Sequence, residues 1–255
     1  MSTQVTSSYL QDQKHSKVSA KFNVIQASAV GEVMLSHGLR VASLKTGKAR
    51  LVENSDHQST ITRYRSDIEI APRVFLDIVH RSFHVGRGSD TFTVALFREI
   101  CTNGLGVSKD FFSESVRHSG DTFLTLDSAI RSALNTQTKL AETVLKMQNT
   151  ILTPQQKEEL AFQAAKLLVP EKATRFRHNL LKQHRASDAD QSLWVAYNTA
   201  QENAMQGRIA YSLPSIDAQG RTTQRDMTVR AIRPNSVKDL DFNQALFDVA
   251  LKFVA

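Results

Sequence analysis

The stretch from Thr91 to Val107, TFTVALFREICTNGLGV, constrains the fold of this chain more than any other segment. Its first half alternates between apolar and other residues, and this period of two predicts a β-strand. Asn103-Gly104 follows, and it favours a turn because both residues adopt positive φ at low cost. Arg98 lies among residues that look buried, so this arginine either forms an internal ion pair or contacts an anion.

The bulk composition limits the class of protein. The 255 residues are 41% hydrophobic, which is enough to fill a core. Thirty-two Lys and Arg against 25 Asp and Glu give a net charge of +7, which favours polyanionic partners. Cys101 is the single cysteine, so an intramolecular disulfide framework is excluded and a reducing cytosol is expected. No apolar leader or membrane-length segment occurs, which predicts a protein of the host-cell cytosol without membrane contact.

The pattern along the chain predicts an α+β protein. We expect a disordered tail over residues 1–20 and a single domain over 21–255, which is sheet-rich over 21–120 and helical over 121–255. In the first part we predict a mainly antiparallel sheet with a helix at Ala29–His37 against it. Its predicted strand-like runs are Leu39–Leu44, Ala49–Glu53, Gln58–Arg65, Ile68–Ile70 and Arg73–Val79.

Helical periodicity replaces the alternation after residue 120. Apolar residues at three- and four-residue spacing predict one long helix packed on the sheet, and Thr153-Pro154 carries the N-cap and first-turn signals of another helix. A polar loop is expected over Ser212–Gln224. The helices predicted in this half are Leu124–Gln148, Thr153–Val169, Asp188–Gln206 with Ser187 or Asp188 as its cap, and Asp239–Val254.

Several ordered motifs resemble a known family. Leu96–Leu105 is similar to the FR-x-x-C-x-NGL signature of the phage- and plasmid-encoded family called domain of unknown function 932, and His118-Ser119-Gly120-Asp121 resembles its H-x-G-D element. The resemblance spans residue 22 to the C-terminus. Further similar elements are Leu193-Trp194, Gln201-Glu202-Asn203 with Gly207, Arg230-Ala231-Ile232, and Asn243–Phe247.

The chain departs from the family pattern at two places. The family has Ser-His-Asp-Gly-Ser before its central signature, whereas His84–Ser89 reads HVGRGS and lacks the aspartate, and Phe247 replaces a tryptophan. The resemblance implies a mobile-element protein and carries no known activity. In outline, a β-rich core with a long helix is similar to single-strand annealing proteins, and this is an analogy of fold only.

Catalytic and metal signatures are absent from the sequence. It contains no GxxxxGK[ST], HExxH, CxxC or GxSxG pattern, so we predict neither a cofactor nor a bound metal, and an enzyme is not favoured. His80 and His84 lie four residues apart without other ligands nearby, which favours packed or solvated histidines. Cys101 and His118 could form a thiol and base pair, but the apolar neighbours of Cys101 favour a small buried side chain. His84–Ser89 is either a hairpin turn or an anion cradle.

Basic residues supply the candidate binding sites. Arginines with few acids nearby neutralise phosphates and release counterions, and Trp194 and Tyr197 either stack bases or fill the core. Arg63, Arg65 and Arg98 either follow a nucleic-acid backbone or pair with Asp67, Glu69 and Glu99. The predicted nucleic-acid-binding residues are Lys172, Arg175, Arg177, Arg221, Arg225, Arg230, Arg233, Arg63, Arg65 and Arg98.

Two functional hypotheses follow. The first is a phage- or plasmid-encoded DNA-binding protein that assembles into homo-oligomers and binds or anneals single-stranded DNA in recombination or replication. The second is a non-enzymatic inhibitor that binds a host defence protein or nuclease. The pattern of residues leaves open the oligomeric state, the strand preference, the identity of a host partner and whether the His84–Ser89 turn binds an anion.

Overall fold

The computed structural model describes residues 14–47, 58–83, 88–99, 104–106, 112–171, 180–185, 190–234 and 236–254. The chain clusters into two compact units, residues 1–96 with 109–138 and residues 97–108 with 139–255. The predicted strand at Ala49–Glu53, most of the His84–Ser89 turn and Cys101 lie outside the described residues. The single domain proposed for 21–255 stays a prediction.

The first unit is built on an antiparallel sheet, as the alternation predicted. Its elements are α1 (Ala27–Ser36), β1 (Leu39–Thr46), β2 (Thr60–Ala71), β3 (Val74–Ser82), β4 (Asp90–Arg98), β6 (Ser113–Val116) and α2 (Thr122–Asn135). The strand order is β1-β2-β3-β4-β6, and β6 pairs with the start of β4. Of the described helices, α1 packs on both β1 and α2.

The partner of β1 among the described strands is β2. β1 pairs antiparallel with β2, from Leu39 opposite Ser66 to Thr46 opposite Thr60. The two short runs predicted on either side of Asp67 are one strand, because β2 continues to Ala71. β2 and β3 are joined at Pro72-Arg73, where Arg73 has a φ of 58°.

The second unit is helical apart from short strands. α5 is its central helix: all 13 of its residues are buried, and α4 and α6 both pack against it. The elements are β5 (Gly104–Gly106), α3 (Gln137–Asn149), α4 (Pro154–Leu168), α5 (Leu193–Met205), β7 (Ala210–Ile216), β8 (Thr222–Thr228) and α6 (Val237–Leu251). Among the described residues, none of the helices combines the length and hydrophobicity needed to cross a bilayer.

Local signals placed some helix ends correctly and others wrongly. The predicted long helix is divided at Thr136, whose hydroxyl donates to the Ala133 carbonyl over 2.7 Å and competes with the helical backbone. α5 is capped by Ser192, whose hydroxyl accepts from the Val195 N–H, rather than by Ser187 or Asp188. The expected polar loop over Ser212–Gln224 is a β-hairpin.

Replacing Thr153 with alanine is expected to lower the free energy of unfolding by about 1 kcal/mol. The Thr153 hydroxyl accepts from the Gln156 N–H at 3.2 Å, and the Gln156 side chain accepts from the Thr153 N–H at 2.9 Å. Urea denaturation of the two proteins measures the difference. Thr143→Ala is the matched control, because this mid-helix hydroxyl bonds only to Lys139 in its own helix; an equal loss in both variants would contradict the capping role.

Candidate nucleic-acid interface

Three of the predicted arginines lie on one short exposed segment of the second unit, residues 225–233, which we call the arginine segment. Arg225 is in the middle of β8, and Arg230 and Arg233 follow the strand; all three are exposed. Val229 and Ile232, which alternate with them, are buried. The apolar residues therefore anchor the backbone while the arginines face solvent.

Gly207 holds the arginine segment close to the end of α5. Its φ is +66°, and a Cβ atom here would lie 2.9 Å from the Ala231 nitrogen and 3.0 Å from the Val229 oxygen. Both contacts are with backbone atoms, which have little freedom to move. The position requires glycine for its left-handed conformation and also for the close approach of residues 229–231.

The three arginines differ from their neighbour Arg221. Arg221 donates to Asp217 over 2.8 Å, and its backbone N–H together with this guanidinium lowers the pKa of the Asp217 carboxyl. Within the described parts of the chain, Arg225, Arg230 and Arg233 form no ion pair with a carboxylate. These three cations are thus available for an external anion, whereas Arg221 already has a carboxylate partner.

The other predicted basic stretch is only partly described. Lys172, Arg175 and Arg177 lie outside the described residues. Arg185 at its end binds Glu202 of α5 at 3.0 Å, and Arg208 binds the same carboxylate oxygen at 3.2 Å. Asn203 of the same helix donates to two loop carbonyls, those of Leu180 and Lys182.

The arginines predicted on the sheet are largely enclosed. Arg63 and Arg98 are buried. Arg65 makes a two-point contact with the buried Asp77, with distances of 2.8 and 3.1 Å, and Arg63 lies 3.8 Å from the same carboxylate. Internal pairing thus occurs for Arg65, with a carboxylate other than the predicted Asp67 and Glu69. Residues 60–64 of this strand are buried throughout.

The aromatic residues considered for base stacking are mostly inside the protein. Trp194 and Tyr197 are buried on α5, and the Tyr197 ring meets Phe247 edge-on at 5.6 Å. Burial raises the pKa of Tyr64 to about 12. Phe83 is half-buried beneath the Arg81 guanidinium. The burial of Trp194 and Tyr197 favours their role in the core over base stacking.

A separate polar cluster, which sequence reasoning did not predict, lies in the core of the first unit. Asp90, at the start of β4, is fully buried between His80 of β3 and His118, with Nε2 to carboxylate distances of 2.8 and 3.1 Å. The Ser82 hydroxyl and the Phe83 N–H donate to the same carboxylate at 3.2 and 3.1 Å. Burial alone would raise the pKa of Asp90, but the adjacent side chains of His118 and His80 outweigh it and hold this pKa well below its usual range.

The histidines of this Asp90 cluster are held by their other contacts. His80 stacks on Phe92 with ring centroids 4.5 Å apart, and His118 stacks on Phe22 at 4.2 Å. His118 Nδ1 donates to the Asn23 carbonyl over 3.0 Å, so the cluster ties the segment before α1 to the sheet. The available sequence signal was Asp90 itself, which directly follows Ser89 of the turn that lacks the family aspartate.

The motif around His118 also has a structural role. Gly120 has a φ of 76°, and the Asp121 carboxylate accepts from the N–H groups of Phe123 and Leu124, which caps α2. The H-x-G-D element therefore joins the Asp90 cluster to the start of a helix. Within the described ranges, no group of His, Cys, Asp and Glu side chains is arranged to hold a metal ion.

Comparison with known proteins agrees with the motifs. Residues 14–246 match the family described as Domain of unknown function (DUF932). Two Escherichia coli (strain K12) proteins, UPF0380 protein YfjQ and UPF0380 protein YafZ, are each 24% identical over 247 residues, covering 96% of this chain and 87% of each relative. No solved structure matches. Since the family match covers most of its length, this chain belongs to the DUF932 family.

Proposed function

We propose that this protein binds DNA through its phosphates, with single strands preferred, in recombination or replication in the host cytosol. The observation that carries the proposal is the exposure of Arg225, Arg230 and Arg233 on the anchored arginine segment, without an ion pair among the described residues. The net charge of +7 supports attraction to a polyanion.

The arrangement of the arginine segment suits backbone contacts. Guanidinium groups bind phosphate oxygens in a two-point geometry, and each phosphate neutralised releases a condensed counterion. Because Val229 and Ile232, which lie between Arg225 and Arg233, are buried, the segment loses little backbone freedom on binding. The preference for single strands is supported only by the similarity in outline to annealing proteins.

Replacing Arg225, Arg230 and Arg233 together with glutamate is expected to weaken binding to a single-stranded oligonucleotide about 100-fold at 0.1 M salt. For single strands, log K falls by about 0.7 per phosphate contact for each tenfold rise in salt. Loss of three contacts should thus reduce the slope of log K against log salt by about 2. Fluorescence anisotropy across a salt series measures both quantities.

The matched control changes the same total charge elsewhere. Lys21, Arg73 and Arg117 are exposed residues of the first unit, and their replacement by glutamate should leave most of the salt slope intact. Equal losses in the two triple variants would mean that only net charge matters, which contradicts a site at the arginine segment. Tighter binding to duplex than to single-stranded oligonucleotides would contradict the strand preference.

A second candidate function, binding to a host protein, is favoured by a different surface. Phe123 and Leu124 in the first turn of α2 are 55% and 67% exposed, and adjacent large apolar side chains in water are typical of protein contacts. A pull-down from nuclease-treated host lysate with the wild type and a Phe123→Ser, Leu124→Ser variant tests this candidate. A stoichiometric protein partner that only the wild type retains would favour it over DNA binding.

A further inference from the structure

The hairpin of β7 and β8 is the least supported element of the second unit. Its strands form a separate two-stranded sheet, and among the described residues neither strand makes an extended contact with another helix or strand. Ile216 near its tip is 75% exposed. A lone two-stranded hairpin is only marginally stable in water, so pairing with an additional strand would stabilise it.

The hydrogen-bond register of the hairpin shows which backbone groups face outward. The Val229 N–H donates to the Ile209 carbonyl at one end, and the Asp217 N–H donates to the Arg221 carbonyl at the other. The register between them is continuous, with Pro214 opposite Gln224. Because bonded and non-bonded pairs alternate in an antiparallel ladder, Pro214 and Gln224 form a non-bonded pair, and their backbone groups point away from the partner strand.

The two outer edges of the hairpin therefore differ. On β7 the outward position in the middle of the strand is occupied by Pro214, which has no N–H to donate, and proline at such a position blocks strand addition. On β8 the outward positions include Thr222 and Gln224, each of which has both a backbone N–H and a carbonyl. In the described structure β8 pairs with β7 and with no other strand.

The charge of the hairpin suits a second copy of this chain. Residues 210–228 contain two acids, Asp217 and Asp226, and two arginines, Arg221 and Arg225, so the net charge is zero. The whole chain carries +7, so two copies repel one another overall. A contact edge with no net charge adds nothing to this repulsion.

We propose that β8 pairs antiparallel with β8 of a second copy about a two-fold axis at Gln224, forming a four-stranded sheet. Symmetry about this axis places Gln224 opposite its own counterpart and Thr222 opposite Asp226 of the other copy. No like charges then lie directly opposite, and both Arg225 side chains lie on one face of the joint sheet. This interface goes beyond the DNA-binding proposal, because its pairing requires no nucleic acid.

Substituting Gln224 with proline tests the pairing. Proline removes the outward N–H at the axis but none of the hydrogen bonds within the hairpin, so the dimer dissociation constant should rise at least tenfold. Gln224→Ala is the matched control: it shortens the side chain, keeps the N–H and should leave dimerisation nearly unchanged. Sedimentation equilibrium of nuclease-treated protein measures the constants, and thermal unfolding checks that both variants fold equally well.

Cross-linking supplies an independent measurement in a Cys101→Ser background. A short bismaleimide should link two copies of Gln224→Cys, whereas Gln219→Cys, five residues away, would be separated from its counterpart by about 30 Å and should not react in pairs. A monomeric wild type at several hundred micromolar, or a dimer that persists in Gln224→Pro, would overturn the proposal. Loss of DNA binding with dimerisation intact would overturn only the function proposed for the arginine segment.

Discussion

Replacement of Asp90 by alanine is expected to lower the free energy of unfolding by about 3–5 kcal/mol, the largest effect of the substitutions considered for this chain. The carboxylate is fully buried and is bound by His80, Ser82, the Phe83 N–H and His118. Removing it leaves the buried His80 imidazole, the Ser82 hydroxyl and the Phe83 N–H without their common acceptor. Urea denaturation followed by circular dichroism measures the change.

Asp67→Ala is the matched control for this substitution. The Asp67 carboxylate lies 3.4 Å from Arg40, and both side chains are largely exposed. The free energy of unfolding should therefore fall by less than about 1 kcal/mol. Similar losses at the two positions would show that the Asp90 cluster does not stabilise the first unit. Asp90→Asn keeps the volume of the side chain and separates the loss of charge from the loss of packing.

The stability difference between the wild type and Asp90→Asn should depend on pH in a definite direction. The folded-state pKa of Asp90 is lowered, so its contribution is fully present above the unfolded-state value of about 3.9 and is lost as the pH falls below it. The difference should therefore shrink as the pH falls below about 4. A difference that grew on acidification would contradict a carboxylate stabilised in its charged form.

Replacement of Gly207 by alanine is expected to destabilise the protein by about 2–4 kcal/mol. About 1 kcal/mol comes from placing a side chain at positive φ, and the rest from the clash of the new Cβ with the backbone of Val229 and Ala231. Since these residues carry the arginine segment, the variant should also bind single-stranded DNA less tightly. Denaturant unfolding and anisotropy titration measure the two effects.

Gly220→Ala separates the two contributions. Gly220 has a φ of +77°, but no atom lies within 4 Å of the position that a Cβ would occupy. The free energy of unfolding of Gly220→Ala should therefore fall only by the cost of positive φ, about 1 kcal/mol. Equal losses in the two variants would show that residues 229–231 can move away from Gly207, and the arginine segment would then not be held in place.

Signals contained within a few residues predicted local structure well. Thr153 caps α4 in a capping box with Gln156, Pro154 occupies its first turn as predicted, and Gly207 follows α5 in the left-handed conformation. Such features depend on neighbours along the chain, which the sequence displays directly. The β7–β8 hairpin escaped prediction because β8 is almost entirely exposed, and a strand with two solvated faces shows no apolar alternation.

The contacts that form the candidate sites join residues that lie far apart in the sequence. Exposure of Arg230 and Arg233 could be proposed from their charge, but the burial of Arg63 and Arg98 could not. Polar residues in a strand are typical of a solvated face, whereas residues 60–64 are buried throughout. The aspartate that pairs with Arg65 is 12 residues away on the neighbouring strand. Cross-strand register decided that pairing.

By itself the sequence determined the α+β class, the basic charge, the family and most helix ends, since these follow from composition, periodicity and nearest neighbours. Only the tertiary structure decided which charges are paired and which face solvent. It brought Asp90 together with His80 and His118, placed Val229–Ala231 against Gly207, and aligned β7 with β8 so that Gln224 faces outward. The physical reason is that burial and hydrogen-bond partners are properties of residues distant in the chain, and folding alone sets the distances between them.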